Sequence, residues 1–183
     1  SETEMGLLKL AGFQAVRVTS FWEPGLTEPT PHEAMVLANV DAAAALHGTR
    51  VYLSVYNAGS RTTPLTLADR TAFAAYAAAI VTANPGFRDV IVGNEPNLNR
   101  FWMPQFDENG SDAAAPAYFA LLAEVYDTAK EAADDATIWV VLTGAPRREA
   151  PRITAVDEVW LAKESTGVRL KMRWPMVLTM RHP

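Results

Sequence analysis

From residue 2 to residue 142 the sequence alternates between helically spaced apolar residues and short runs rich in β-branched residues. That alternation confines the fold to a parallel sheet wrapped by helices. Residues 2–11, with Leu7, Leu8 and Leu10, read as the end of a helix stopped by Gly12. Residues 13–19 then read as a strand in which Val16 and Val18 alternate with Arg17. A helix over 33–47, closed by Gly48, leads to a strand over 51–55. Residues 67–83 form the clearest helix, with Phe73, Tyr76 and Ile80 on one face and Asn84-Pro85-Gly86 as its end. Val90, Ile91 and Val92 make a short strand buried on both faces. A long polar loop to Asp112 follows, then a helix over 117–133 opened near Pro116 and a strand over 137–142. No linker or internal repeat separates these four strands and four helical segments.

The Val90–Val92 run stops abruptly. Gly93 permits unusual backbone angles, and Pro96 removes a donor while pushing Glu95 away from helix, so a carboxylate is presented at the strand's carboxyl end. That end is where α/β enzymes keep their chemistry. By itself Asn94-Glu95-Pro96 is also compatible with a capped turn. Its setting is more specific, because the loop that follows carries Asn97, Asn99, Arg100, Phe101 and Trp102, groups that hydrogen-bond or stack on sugar rings. On these residues the chain resembles the clan A glycoside hydrolases, the cellulase-like (β/α)8 barrels that include glycoside hydrolase family 5. There an Asn-Glu pair, often followed by Pro, ends the fourth barrel strand.

The resemblance implies that Glu95 is the general acid/base and that Asn94 hydrogen-bonds the sugar 2-hydroxyl. It implies an α/β fold that is a partial (β/α)8 TIM barrel, with strands two to five and their helices within residues 1–146. At 183 residues the chain is short for a complete barrel, which usually needs about 250. The first strand and the last three units have no good candidates. Glycoside hydrolysis needs a second carboxyl group, about 5 to 5.5 Å from the first in retaining enzymes. In clan A that nucleophile is a glutamate ending strand seven, and the resemblance assigns none here. Glu23, in Ser20-Phe21-Trp22-Glu23-Pro24, lies on the expected rim but reads as a solvated carboxylate, as do Asp107 and Glu108.

Arg17 interrupts an apolar strand, where an unpaired cation is costly, so it needs a carboxylate partner. The resemblance makes it the residue that orients the nucleophile; a structural ion pair at a helix boundary is the alternative. Trp22, Trp102 and Phe101 are either sugar-stacking platforms or plugs of the core's rim. Asn97 is a further candidate for substrate binding, and Asn57 is either a binding group or a turn residue of Asn57-Ala58-Gly59-Ser60.

Other classes are excluded by composition. The chain has no cysteine, and His32, His47 and His182 show no ligand spacing, so neither metal nor cofactor is expected. No apolar run approaches the roughly 20 residues of a membrane span. Residues 1–146 hold 8 Lys+Arg and 17 Asp+Glu, giving −9, whereas residues 147–183 hold 8 and 4, giving +4. An acidic body argues against nucleic acid, which calls for a basic surface.

Residues 147–183 form a basic tail that does not follow the family; 155–163 read as a short helix and 168–172 as a short strand. The expected function is hydrolysis of O-glycosidic bonds in an oligo- or polysaccharide by a retaining mechanism, with little turnover from this segment for lack of a nucleophile. The alternative is a non-catalytic carbohydrate-binding partial barrel using Trp22, Trp102 and Asn97. Expected partners are carbohydrate and, through open barrel edges, a second copy, with neither nucleic acid nor membrane. Localisation is left open, an extracellular setting following only from secreted members of the family.

Overall fold

The computed structural model describes residues 2–141, together with the backbone of residues 160–162 and 169–171. The chain divides into two compact units, Ser1–Gly144 and Ala145–Pro183. In the first, the order is α1 (Glu2–Leu10), β1 (Ala15–Trp22), α2 (Pro31–His47), β2 (Arg50–Asn57), α3 (Leu67–Ala83), β3 (Asp89–Val92), α4 (Ala114–Ala132) and β4 (Thr137–Trp139). The strands form one parallel sheet in the order β1-β2-β3-β4.

Monotonic order distinguishes two α/β architectures. Right-handed crossovers between strands added always on the same side place every helix on one face, whereas a doubly wound sheet reverses direction and covers both. Contacts from α2 to α3 and from α3 to α4 agree with a single helical layer. The architecture is therefore α/β and part of a (β/α)8 barrel type, with the four strands expected as second to fifth.

Side-chain alternation divides the sheet into two chemically different faces. Ser20 bonds to Glu33 on α2 and Tyr76 on α3, and Trp22 packs 5.4 Å from Phe73. These contacts mark one face as helix-covered, and register extends it to Leu53, Val55, Val90 and Val92, all buried. Each large apolar side chain removed from water there contributes about 1.5–3 kcal/mol. The opposite, open face carries Arg17, Phe21, Tyr52, Ser54, Tyr56 and Trp139.

Element boundaries move where tertiary partners or caps reach further than the sequence pattern. β1 runs to Trp22 rather than 19, because β2 pairs with it through Trp22 opposite Asn57. α2 begins at Pro31, with Thr30 Oγ1 accepting from the Glu33 N–H and proline occupying a first-turn position whose N–H has no helical acceptor. α4 begins at Ala114, where Asp112 Oδ1 accepts from the Ala115 N–H. β4 ends at Trp139, and residue 142 of the expected strand lies outside the described residues. In the second unit β5 (Trp160–Ala162) and β6 (Arg169–Lys171) pair antiparallel. The helix expected over 155–163 is thus a strand over its last described part, since β6 supplies backbone partners across the pair. The remaining residues of that expectation and of the strand over 168–172 lie outside the described residues.

At the amino end of the sheet, Asp89 is buried on the open face and accepts from Arg50 Nε at 2.6 Å, Arg50 Nη2 at 2.5 Å and Trp139 Nε1 at 2.8 Å. This bidentate pair ties β2 to β3, and the indole ties in β4. The same hydrogen bond holds the Arg50 pKa above its ordinary value. Arg50→Ala leaves the buried carboxylate with the indole donor alone. Because the Arg50 side chain is itself half exposed, the expected loss is about 1–3 kcal/mol of unfolding free energy, read by urea titration.

Candidate active site

β3 is flanked on both sides, so its end is set by the neighbouring strands as much as by its own residues. The Gly93 N–H donates to Val55 O at 2.8 Å and the Glu95 N–H to Val141 O at 3.1 Å, so the turn beyond Val92 is still tied to the chain on both sides. Gly93 has φ +71, and a Cβ there would sit 3.2 Å from Tyr118 Cε2 on α4. Val92 and the bare side of Gly93 therefore both face the helices, two consecutive positions on one face. The alternation slips by one, as at a bulge, and Asn94 is delivered to the open face. Tyr118 closes the arrangement from above, its hydroxyl donating to Val92 O at 2.6 Å. Full burial raises its pKa well beyond the ordinary tyrosine range.

Arg17 confirms where Asn94 points. Its Nη2 donates to Asn94 Oδ1 at 3.0 Å and to Ser54 Oγ at 2.7 Å. With Oδ1 accepting from the guanidinium, the Asn94 amide nitrogen is left to donate elsewhere. Arg17, expected within an apolar strand and seeking a carboxylate, is on the exposed face of β1 and holds hydroxyl and amide oxygens. Ser54 carries no sequence signal for this role, since a serine among valines and tyrosines reads as ordinary strand.

Glu95 has φ +45, the one positive φ at a non-glycine position among the described residues. A left-handed L-residue costs about 1–2 kcal/mol, and such positions concentrate at functional sites. The turn that follows is closed by the Leu98 N–H donating to Glu95 O at 2.9 Å. Gln105 Nε2 then bonds both Pro96 O (2.9 Å) and Trp102 O (2.8 Å), and Asn57 Nδ2 reaches Phe101 O at 3.1 Å. The loop after the acid is thereby fastened to itself and to β2.

The structure brings Arg17, Asn94 and Glu95 to one end of the sheet but separates the two tryptophans from that role. Trp22 is 0% exposed on the helix-covered face, where β1's extension puts it against Phe73. Trp102 is 1% exposed, its ring 5.5 Å from Tyr118 and perpendicular to it. Neither presents a ring face, so their expected sugar stacking gives way to core packing. Asn97 is exposed in the loop, while Asn57 acts as a clamp and bonds Gly59 O as well. Among the other carboxylates, Asp107 Oδ1 accepts from the Asn109 and Ser111 N–H groups and so builds a turn. Glu23 is exposed; burial first, then the hydrogen bond and charge of Glu33, and least the charge of Glu23 raise the Tyr76 hydroxyl to about 12. Among the described residues no group of His, Asp and Glu is placed to hold a metal ion. No described helix is long and apolar enough to cross a membrane.

No protein-family model matches the chain, and no curated protein matches it. Among solved structures, the chain is similar to the complex of the virulence factor SghA with its substrate analog salicin, at 16% identity and a TM-score of 0.58. The match covers 77% of this chain and 35% of that one, so this chain spans about a third of that protein's length. At this identity the likeness is one of fold.

The strain at position 95 is separable from its chemistry. Glu95→Gly and Glu95→Ala remove the same carboxylate, but only glycine accepts the left-handed backbone freely. The glycine variant is expected to be more stable than the alanine variant by about 1 kcal/mol in chemical denaturation.

Proposed function

We propose that this chain carries one side of a glycosidase active site, hydrolysing O-glycosidic bonds of an oligo- or polysaccharide with retention and using Glu95 as general acid/base. The observation that carries this reading is the Arg17–Asn94 hydrogen bond beside a strained Glu95 at the carboxyl end of β3. In the first step Glu95 gives its proton to the glycosidic oxygen as that bond breaks. In the second it takes a proton from the water that attacks the anomeric carbon. Asn94, its amide turned by Arg17, donates to the sugar 2-hydroxyl, a contact that strengthens as charge develops at the anomeric centre. The nucleophile is a second carboxylate about 5 to 5.5 Å from the first. None is assigned to it among the described residues. The fold-level likeness to a protein solved with salicin, an aryl glucoside, supports a glycoside as ligand. The alternative of a purely binding module loses two of its three contact residues to burial of Trp22 and Trp102.

A small anion can substitute for a missing nucleophile and so isolates the role of the acid. In a panel of unsubstituted phenyl glycosides, whose poor leaving group needs a proton to depart, the 183-residue chain is expected to show little turnover alone. With added azide, which attacks the anomeric carbon while Glu95 protonates the departing phenolate, glycosyl azide should form. Glu95→Gln should lower that azide-dependent rate by about 10²–10⁴-fold. An equal rate in the variant would remove Glu95 from the mechanism.

A further inference from the structure

The exposed residues of α2 include no Asp, Glu, Lys or Arg. The helix has two charged residues, and both are engaged elsewhere: Glu33 is turned inward to Ser20 and Tyr76, and Asp41 lies against Gly86. Read at three- and four-residue spacing, the outward face is Met35, Ala38, Asn39, Ala42, Ala45 and Leu46, all exposed. Its two long apolar side chains stand well out in water, Met35 at 55% and Leu46 at 65% exposure. The opposite face already meets the core through Leu37 and Ala44, both buried. A helix that is apolar on all sides is one that protein covers on all sides, whereas α4 shows water Asp127 and Glu131.

We propose that this face joins two copies of the chain in a weak two-fold dimer, α2 packing antiparallel on α2 of the second copy. Charge selects a second copy as the occupant. Residues 1–146 carry −9, so two copies repel wherever their acidic surfaces meet, and the α2 face lets them touch without that repulsion. Shape selects it too, because a two-fold contact needs a self-complementary patch. Ala38 and Ala42 near the middle let two crossed axes approach, and Met35 and Leu46, about 16 Å apart along the helix, fill the gaps that open as the axes diverge. In the antiparallel arrangement Met35 of one copy faces Leu46 of the other, and the helix dipoles oppose. Area sets the strength. Half the surface of a cylinder about 25 Å long and about 10 Å across is about 400 Å², half the area per partner of a standard interface, so the dimer is weak and concentration-dependent.

The test is sedimentation velocity on the whole chain over a concentration series from about 5 to about 500 μM, the range of a weak interface. The dimer fraction should rise with concentration, and rise further with added salt, which screens the repulsion between acidic bodies. Met35→Lys and Leu46→Lys should each weaken association by about tenfold, whereas Leu67→Lys, at an exposed position on α3, should not. Pairing Met35→Lys with Leu46→Glu should restore the dimer that Met35→Lys with Leu46→Lys loses, since the two-fold sets position 35 against position 46, and salt should weaken that restored dimer. A monomer at every concentration overturns the proposal. Association that salt dissolves and the α2 variants leave alone assigns it to basic residues 147–183 on the acidic body, and association indifferent to both assigns it to the sheet edges; either result overturns the proposal. So does equal loss in the two double variants, whether or not their melting temperatures fall, because the register then fails.

Discussion

The close approach of Gly93 to Tyr118 is the constraint on which the carboxyl end of the sheet depends. Because no side chain can stand between that strand and α4, the backbone turns left-handed at 93 and shifts the alternation of β3 by one residue. Asn94 then faces Arg17 instead of the helices. A methyl group at 93 would meet two penalties together, an unfavourable φ and a ring at 3.2 Å, and relief of either moves Asn94 or the helix. The tyrosine hydroxyl bonded to Val92 O makes the helix itself part of the clamp. Geometry at Glu95 is thus set in part by packing on the helix-covered side of the sheet.

The two faces of that sheet divide labour. Under the helices lie branched aliphatic residues and alanine-rich α3, whose Ala74, Ala77 and Ala78 are buried and let α4 pack closely. Ser20 brings a polar group into this layer and is bonded to Glu33 and Tyr76, so that β1, α2 and α3 share a hydrogen-bonded network. The open face instead carries ions, amides and aromatic rings arranged by height. At the amino end Asp89 holds Arg50 and the Trp139 indole, the Arg17 guanidinium reaches from the level of Asp89 to Ser54 and Asn94, and Phe21, Tyr56 and Asn94 lie near the carboxyl end. The buried ion pair of Asp89 and the Asn94-Glu95 turn are therefore held towards opposite ends of the same strands.

Much of this was legible in the sequence, and what was not has identifiable causes. The alternation of periods predicts a parallel sheet, and the monotonic order adds the barrel type, because strand order is a property of crossovers that no local pattern encodes. Glu95 is visible through Gly93 and Pro96, which punctuate an apolar strand. Arg17 is visible as a charge among valines, but its partners, an amide 77 residues away and a strand serine, depend on register. Trp22 shows the main difficulty. The sequence from Ser20 onward has no strand period of its own, and only the eight-residue pairing with β2 carries β1 to position 22, where alternation buries the tryptophan and exposes Phe21. One residue's difference in face exchanges the core ring for the rim ring.

The Gln105 side chain, bonded to Pro96 O and Trp102 O, divides the long loop into two parts with different evolutionary freedom. Residues 96–105 form a closed ring around the amide, so an insertion there would displace the strained turn at Glu95. Residues 106–112 lie outside the ring and carry their own backbone bridge between Phe106 and Asp112. Lengthening or exchanging that outer hairpin leaves the ring's hydrogen bonds untouched. The outer hairpin can in this way change length while the turn at Glu95 keeps its own hydrogen bonds.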